Sequence, residues 1–516
     1  MVLLRFQCGG EIIERTPLRI VVHREIPEDP VLQREWNHLV SRMESPQVFY
    51  TFEWAMAIQY GYGRTLPIHL LLAFESDILV GVAALTLDAD QKTASFLAAT
   101  TADYCDFVSL PSNREAFTHN ALENLRTFGI TKLVLANLPA DSLSMRTLRE
   151  AAVQSCFRIF DRPGYACARV ELGIGEQRVR LGHDLNKKKA FRRNMNALRG
   201  EFSVNLSHLR SADDILSAIS AFSEAHVARF LATGRISNLV SEARRRFLVE
   251  LTKRLCPSGW VVLTRLMVGD KPVAWNYGFQ FDGSWFWYQP TFDSRVEEHS
   301  PGYCLLTKMI IEACDDLRVN VVDLGLGAEG YKERFSNASR ETRHLTLTTS
   351  VLQQVHAAAR FGVAAAIKSS PRAEKMVRAM ASRIHALRRR RLSAPRDFLK
   401  WSMQRATSLV SIRDQIEFYE WDHSASMASA DPQRNSSLRK IEFEALARAA
   451  VMSEHDTESL SYLLRAAQRL HANESEIRGF FLADRDHAPV HFCWAAPFQG
   501  FFMDELSSLP IQTPVT

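Results

Sequence analysis

The residues best suited to chemistry lie in one stretch, 323–335, which reads DLGLGAEGYKERF. An apolar strand pattern ends at Asp323, two glycines follow, and a short helical pattern carries Tyr331 and Lys332. Polar groups at a glycine turn after a strand commonly face a crevice where sheet enzymes bind ligands. Carboxylates at Asp323 and Glu329 can accept protons, a tyrosine can donate one, and a lysine can hold a phosphate or carboxylate. The alternative is that Asp323 caps the turn and that the basic helix face is solvated.

A second stretch precedes it and has the composition of an anion site at a helix start. Its residues are Ser300, Pro301, Gly302, Tyr303 and Cys304. The first N–H groups of a helix have no intrahelical partner and lie at the positive end of the helix dipole. Proline suits the first turn and glycine allows close approach of a ligand. Arg295, just upstream, can add charge, and an ordinary helix start is the alternative.

Three stretches that share a strand–turn–strand layout must position these groups. They run from Leu66 to Leu87, from Trp260 to Pro290 and from Ile477 to Leu506. Gly and Asp in their turns, between β-branched and aromatic runs, predict antiparallel meanders. The chain is therefore expected to repeat one α/β unit.

The flanking patterns repeat as well. A strand and helical patterns precede each meander, and the first two meanders are followed by helix, strand, helix and strand. For the third repeat the opening strand is predicted at Ile416–Trp421 and a helix at Thr457–His471. This predicts a first module over 1–175, a second over 176–350, a basic helical linker over 351–412 and a partial third module over 413–516. The expected fold class is α/β (α+β), with tandem modules and mixed, largely antiparallel sheets.

Residues of about 45–350 resemble a known family through several segments in a fixed order. The segments are FYTFEWAMA (49–57), the glycine of SDILVG (76–81), ADYCDF (102–107), LNKKKAFRRNMNAL (185–198), SPG (300–302) and DLGLGAEGYKERF (323–335). They resemble the GNAT-type (general N-acetyltransferase) enzymes associated with cellulose and exopolysaccharide synthesis. Those enzymes are two-module relatives of the Fem-type peptidoglycan aminoacyltransferases.

The resemblance implies transfer of an acyl group from acetyl-CoA, or another acyl-CoA, to an amino or hydroxyl group of a sugar or polysaccharide precursor. It implies that the helix start at Gly302 holds the coenzyme's diphosphate. Asp323 and Glu329 become candidate bases, Tyr331 a candidate acid and Lys332 a charge clamp. Asp293 is a further candidate, because the end of the meander flanks the acyl-binding cleft. The first module lacks an equivalent glycine and is expected to be structural or to bind the acceptor.

Composition limits the alternatives. The chain has 516 residues, 46% of them hydrophobic and 23% charged, which predicts a globular protein of about three domains. Its eight cysteines include no CxxC pair, and this favours a reducing, cytoplasmic setting without a metal site. No apolar run approaches the roughly 20 residues that span a bilayer, and no signal peptide is recognised at the N-terminus.

The positive charge is concentrated in one segment, 360–405, which holds thirteen Lys and Arg against two acidic residues. A solvated interdomain helix is the plainest interpretation, and peripheral contact with the inner membrane is the alternative. No nucleic-acid motif accompanies the charge, so no nucleic-acid partner is predicted.

Two rival functions stay open. A Fem-type aminoacyl-tRNA-dependent ligase would need an RNA-binding arm, which the 176–350 region lacks. A non-catalytic GNAT-fold scaffold would have lost the donor site. The partial third module is expected to pack on the second or to form a homodimer.

Overall fold

The computed structural model describes residues 18–63, 66–327, 329–368, 437–453, 456–471, 478–483 and 489–495. They belong to two compact units, and the boundary in the chain lies between Ala358 and Ala359. The first unit holds the two long repeats, and the second holds the short one. The opening strand predicted for the third repeat, Ile416–Trp421, and most of the basic segment 360–405 lie outside the described residues.

The first repeat has the predicted order of strands and helices. Its elements are β1 (Arg19–His23), α1 (Pro30–Ser41), α2 (Phe52–Tyr62), β2 (Ile68–Glu75), β3 (Ile78–Leu87), β4 (Thr93–Phe96), β5 (Val108–Ser109), α3 (Arg114–Thr127), β6 (Lys132–Pro139), α4 (Leu143–Gln154) and β7 (Arg158–Glu171). Local signals explain several boundaries. Asp29 caps α1 and is followed by proline at its first position, while the Thr51 and Ser142 side chains cap α2 and α4.

The second repeat, as far as the structure describes it, follows the same order with three differences: it adds a helix pair at its start, lacks a counterpart of β5, and has a 3₁₀ turn in place of the helix before its last strand. Its elements are α5 (Glu176–Lys187), α6 (Lys189–Arg199), β8 (Val204–Leu209), α7 (Ala212–Ala232), α8 (Glu242–Leu255), β9 (Val261–Val268), β10 (Lys271–Phe281), β11 (Ser284–Phe292), α9 (Pro301–Asp315), β12 (Val321–Asp323) and β13 (Ala338–Thr348). A 3₁₀ turn, Ser294–His299, leads into α9. The helix α10 (Val351–Lys368) follows.

One continuous sheet joins the two repeats. Its strand order is β1-β2-β3-β4-β6-β13-β7-β12-β11-β10-β9-β8, with β5 paired to β3. The last strands are exchanged: β13 of the second repeat lies between β6 and β7 of the first, and β7 pairs with β12. The β4–β6 and β11–β12 pairs are parallel, and the others are antiparallel. The mixed, largely antiparallel character is therefore confirmed.

Two helical predictions need correction. The pattern over 185–198 predicts one helix, but two helices meet at Lys188, whose ψ of 122° is extended. The apolar residues nevertheless face inward as expected, because Leu185, Phe191 and Leu198 are all buried in one core. The short helix expected before Phe335 is a single 3₁₀ turn, Lys332–Arg334.

One described helix, α7, is long and apolar enough by composition to cross a bilayer. Its buried residues include Phe222, Val227 and Leu231, and the helix packs against β11 and α8. Core helices of globular domains have the same character, so α7 is part of the core of the first unit.

The second unit repeats the opening half of the fold. It contains β14 (Ser437–Lys440), α11 (Phe443–Met452), α12 (Thr457–His471), β15 (Arg478–Ala483) and β16 (Pro489–Ala495). The three strands form an antiparallel sheet in the order β14-β15-β16. The strand–helix–helix–strand–strand order matches the start of both long repeats. The helix α12 has the predicted bounds, while β14 and α11 were missed from the sequence.

The exchanged strands predict that the two long repeats unfold together. Leu345 in β13 is fully buried between β6 and β7, so we expect Leu345→Ala to destabilise by about 2–5 kcal/mol. Native-state hydrogen exchange of the full chain should then show the protection of β6 and β12 falling by the same free energy. Loss of protection in β6 with β12 unchanged would contradict this coupling.

Candidate active site

The site begins where two parallel strands separate. β11 and β12 pair at Ser284–Val321, Trp285–Val322 and Phe286–Asp323, and the pairing then ends. β12 stops at Asp323, whereas β11 continues to Phe292 with β10 on its other edge. In the described part of the chain no strand covers the inner edge of β11 beyond Phe286. A gap therefore opens in the sheet directly before α9.

A β-bulge lies at the start of this gap. Tyr277 pairs with Gln289 and Phe279 with Phe286, so Trp287 and Tyr288 of β11 together oppose Gly278. A side chain at Gly278 would collide with the Phe286 carbonyl oxygen, 2.3 Å from an ideal Cβ. A bulge leaves a residue outside the hydrogen-bond ladder and bends the strand. It therefore bends β11 at the point where its pairing with β12 ends.

The opposite wall is the loop that follows Asp323. Gly325 and Gly327 have φ of 68° and 110°, a region that favours glycine, and they turn the chain away from β11. The Lys332 ammonium holds this loop: its Nζ donates to the Leu326 carbonyl at 2.7 Å and forms an ion pair with Glu329 at 2.8 Å. Lys332 is only 4% exposed. Its contacts are those of a residue that fixes the loop.

The Asp323 carboxylate is likewise bound by other groups of the protein. Its carboxylate accepts hydrogen bonds from the Tyr104 hydroxyl and the Gly325 amide, both at 2.9 Å, and Arg169 lies 3.6 Å away. It is 2% exposed, and burial raises its pKa, while the Gly325 amide and Arg169 act in the opposite direction. The predicted base Asp323 is thus placed at the site but behind its surface.

A carboxylate that sequence reasoning did not select stands in front of it. Asp103, from the first repeat, is part-buried, and an oxygen of its carboxylate lies 2.4 Å from the ideal Cβ position of Gly325. Burial, and then the charge of Asp323, raise the pKa of Asp103 to about 7, although the charges of Lys332 and Arg244 oppose the shift. Only the ADYCDF segment signalled it, and there as a resemblance. A carboxyl group that titrates near neutrality is suited to proton transfer.

Arg244 lies on the same side as Asp103. It is 4% exposed, and its Nη2 donates to the Tyr288 hydroxyl at 2.7 Å. Tyr288 in turn donates to the Thr101 carbonyl of the first repeat. Arg244 and Tyr288 therefore connect the bulge to the segment that carries Asp103.

Tyr331 crosses the gap from the loop side. The Trp287 indole Nε1 donates to the Tyr331 hydroxyl at 3.0 Å, and burial raises the pKa of Tyr331 to about 12. The hydroxyl therefore keeps its proton and can donate it. Glu329 is 55% exposed and is held by Lys332.

The helix start has the geometry expected of an anion site. Ser300 is left-handed with φ of 49°, and the first intrahelical bond runs from the Cys304 amide to its carbonyl. The amides of Gly302 and Tyr303 precede that bond. Phe292 lies 3.1 Å from an ideal Cβ on Gly302, so a larger residue would crowd the entrance. Pro301 and Cys304 are buried, and burial raises the pKa of the Cys304 thiol to about 12.

The remaining predicted residues form a local pair. The Arg295 guanidinium, 60% exposed, lies 2.8 Å from the Asp293 carboxylate, which also caps the 3₁₀ turn through the Arg295 amide. Asp293 is therefore occupied by Arg295.

In the first repeat the equivalent helix start is filled by protein. Arg114 is fully buried there, donating to the Ser109 and Ser144 hydroxyls and lying 3.5 Å from Asp106 and 3.2 Å from Glu44. The guanidinium at this helix start is therefore bound by protein groups.

The comparison with known protein families finds a match in the second repeat. Residues 186–333 match the family described as the acetyltransferase (GNAT) domain. No curated protein matches the chain. The match lies in the second repeat, and the first repeat shares most of its order of strands and helices in a mixed α/β fold.

Several solved structures are similar at low identity. FemX shows 8% identity and a TM-score of 0.46, covering 63% of this chain and 98% of its own. The C-terminal domain of a putative lysylphosphatidylglycerol synthetase from Agrobacterium fabrum shows 12% identity and a TM-score of 0.42, and the match covers 64% of this chain and 95% of that domain. A tandem GNAT protein from the clavulanic acid biosynthesis pathway shows 12% identity and a TM-score of 0.36, and the match covers 64% of this chain and 98% of that protein.

The raised pKa of Asp103 predicts a pH effect on stability. The folded form keeps a proton that the unfolded chain loses above about pH 4, so stability from this group falls as pH rises from 4 through about 7. Asp103→Asn removes this effect. The free energy of unfolding, measured with urea, should fall between pH 5 and pH 8 in the native protein. In the variant we expect this fall to be smaller by about 1–2 kcal/mol, a figure reduced because Asp103 is partly exposed. Identical pH dependence of the two proteins would contradict the assignment.

Proposed function

We propose that this protein is an acyl-CoA-dependent acyltransferase whose donor site is the gap between β11 and the 324–331 loop. The observation that carries the proposal is the separation of β11 and β12 immediately before a helix start with free amides. A pantetheine arm is a narrow chain that fits between parting strands, and the diphosphate suits the amides of Gly302 and Tyr303.

The roles of the side chains follow from their positions. Asp103 accepts the proton of the attacking amine or hydroxyl, because it is the carboxylate at the surface of the site with a pKa near 7. The backbone of the bulge at Trp287 and Tyr288 offers donors to the thioester oxygen, since a bulge leaves its extra residue unpaired. Tyr331 donates a proton to the departing thiolate. Asp323 and Lys332 position the loop.

The transfer is direct, with no covalent enzyme intermediate. The nucleophile's lone pair attacks the thioester carbon, its proton passes to Asp103, and the C–S bond breaks to release the coenzyme thiol. We propose a sugar or polysaccharide precursor of the cell envelope as acceptor, on the resemblance of the sequence, and the cytoplasm as the setting. The first repeat, whose own helix start is filled by Arg114, supplies Asp103 and the acceptor side.

The donor site is tested by calorimetry with acetyl-CoA. We expect 1:1 binding to the full chain, and Gly302→Val should weaken it by about tenfold, or about 1.4 kcal/mol, because the new side chain crowds Phe292 and the amides. Gly362→Val is the matched control, since Gly362 is exposed on α10 and no atom lies within 4 Å of its ideal Cβ. Folded protein that binds no coenzyme would favour a scaffold, and binding of charged tRNA instead would favour a ligase.

The base is tested by kinetics with any acceptor amine or alcohol that supports turnover. Asp103→Asn should lower kcat about 10²–10⁴-fold and leave acetyl-CoA affinity unchanged. In the native protein kcat/KM should rise with pH to a plateau above about 7, and this rise should vanish in the variant. Glu329→Gln is the control, with little effect expected. A large loss in Glu329→Gln and none in Asp103→Asn would assign the base to Glu329.

A further inference from the structure

An unpaired basic surface lies at the junction of α5 and α6. Its five exposed residues, named here the basic face, are Lys187, Lys188, Lys189, Arg192 and Arg193. No acidic residue occurs between Leu185 and Gly200, and none of the ion pairs in the described ranges includes a member of the basic face. Five cations without counter-charges favour a polyanionic ligand.

The inward side of α6 fixes where this face points. Phe191 and Leu198 are buried, and Met195 is partly buried, in the core that also contains Leu305 and Met309 of α9. Val296, from the 3₁₀ turn that leads into α9, packs on the same core. α6 therefore lies beside both the 3₁₀ turn and α9, the helix that begins at Pro301.

Lys188 links the basic face to the helix start through two aromatic rings. Its ammonium lies 5.7 Å from the centre of the Phe335 ring and 3.5 Å from the Arg334 carbonyl oxygen. The Phe335 ring lies 5.3 Å from the ring of Tyr303, the residue after Gly302. The break in the helix at Lys188 thus places its ammonium against Phe335, which in turn contacts the side chain of Tyr303 in the first turn of α9.

We propose that the basic face binds the 3′-phosphate on the adenosine of the coenzyme. This inference rests on the proposed function. In coenzyme A the phosphorylated ribose is covalently next to the diphosphate, so a diphosphate at Gly302 places the 3′-phosphate near this surface. A phosphate monoester carries nearly two negative charges at neutral pH, and arginine binds it through two parallel hydrogen bonds.

The experiment compares coenzyme A with dephospho-coenzyme A, which lacks only the 3′-phosphate, by calorimetry on the full chain at low salt. The native protein should bind coenzyme A about tenfold more tightly. Arg192→Gln combined with Arg193→Gln should bring the two affinities together and leave that for dephospho-coenzyme A unchanged. Arg246→Gln combined with Lys253→Gln removes two exposed cations from α8 and should preserve the preference.

The outcomes separate the two proposals. Equal affinity of the native protein for both coenzymes overturns this inference but not the donor site. A preference that survives when Lys188→Gln is added to the Arg192/Arg193 variant places the phosphate elsewhere and also overturns it. Binding of neither coenzyme overturns the proposed function and this inference together. The native protein could bind both coenzymes equally and also bind anionic vesicles or RNA in a way that is lost in the Arg192/Arg193 variant. That result would assign the basic face to those ligands instead.

Discussion

The site depends on the point at which β11 and β12 stop pairing. Up to Phe286 and Asp323 the two strands form an ordinary parallel pair with a buried apolar core on one face. Beyond it, the bulge at Trp287 and Tyr288 bends one strand, and Gly325 and Gly327 turn the other away. Lys332 stabilises that turn by bonding its carbonyls, because a buried ammonium needs several acceptors. The gap is therefore built into the fold.

The exchange of final strands explains why one site draws on two repeats. With β13 inserted between β6 and β7, and β7 paired to β12, the first repeat is held against the loop that follows Asp323. Tyr104 bonds Asp323, Tyr288 bonds the Thr101 carbonyl, and Asp103 lies against Gly325. Burial and the neighbouring negative charge of Asp323 raise the pKa of Asp103 toward neutral pH. Neither repeat alone contains this arrangement.

Most of the secondary structure could be predicted from local patterns in the sequence. The helix Arg114–Thr127 and the hairpin turns of the second meander were predictable because helical periodicity and Gly and Asp turn residues act within a few residues. Strand exchange was not readable, since the pairing of Leu345 with Leu135 joins residues far apart in the chain. Asp103 was missed for the same reason: its pKa is set by groups more than a hundred residues away. Lys332 was recognised as important, but whether its amine faces a ligand or the loop depends on tertiary contacts.

The central claim is that the coenzyme occupies the gap, and a structure of the protein crystallised with coenzyme A tests it most directly. The account predicts density for the diphosphate at the amides of Gly302 and Tyr303, with the pantetheine arm running between β11 and the 324–331 loop towards Asp103. Coenzyme bound at another surface, or a gap closed around Trp287 and Tyr331 in the presence of saturating coenzyme, would contradict it.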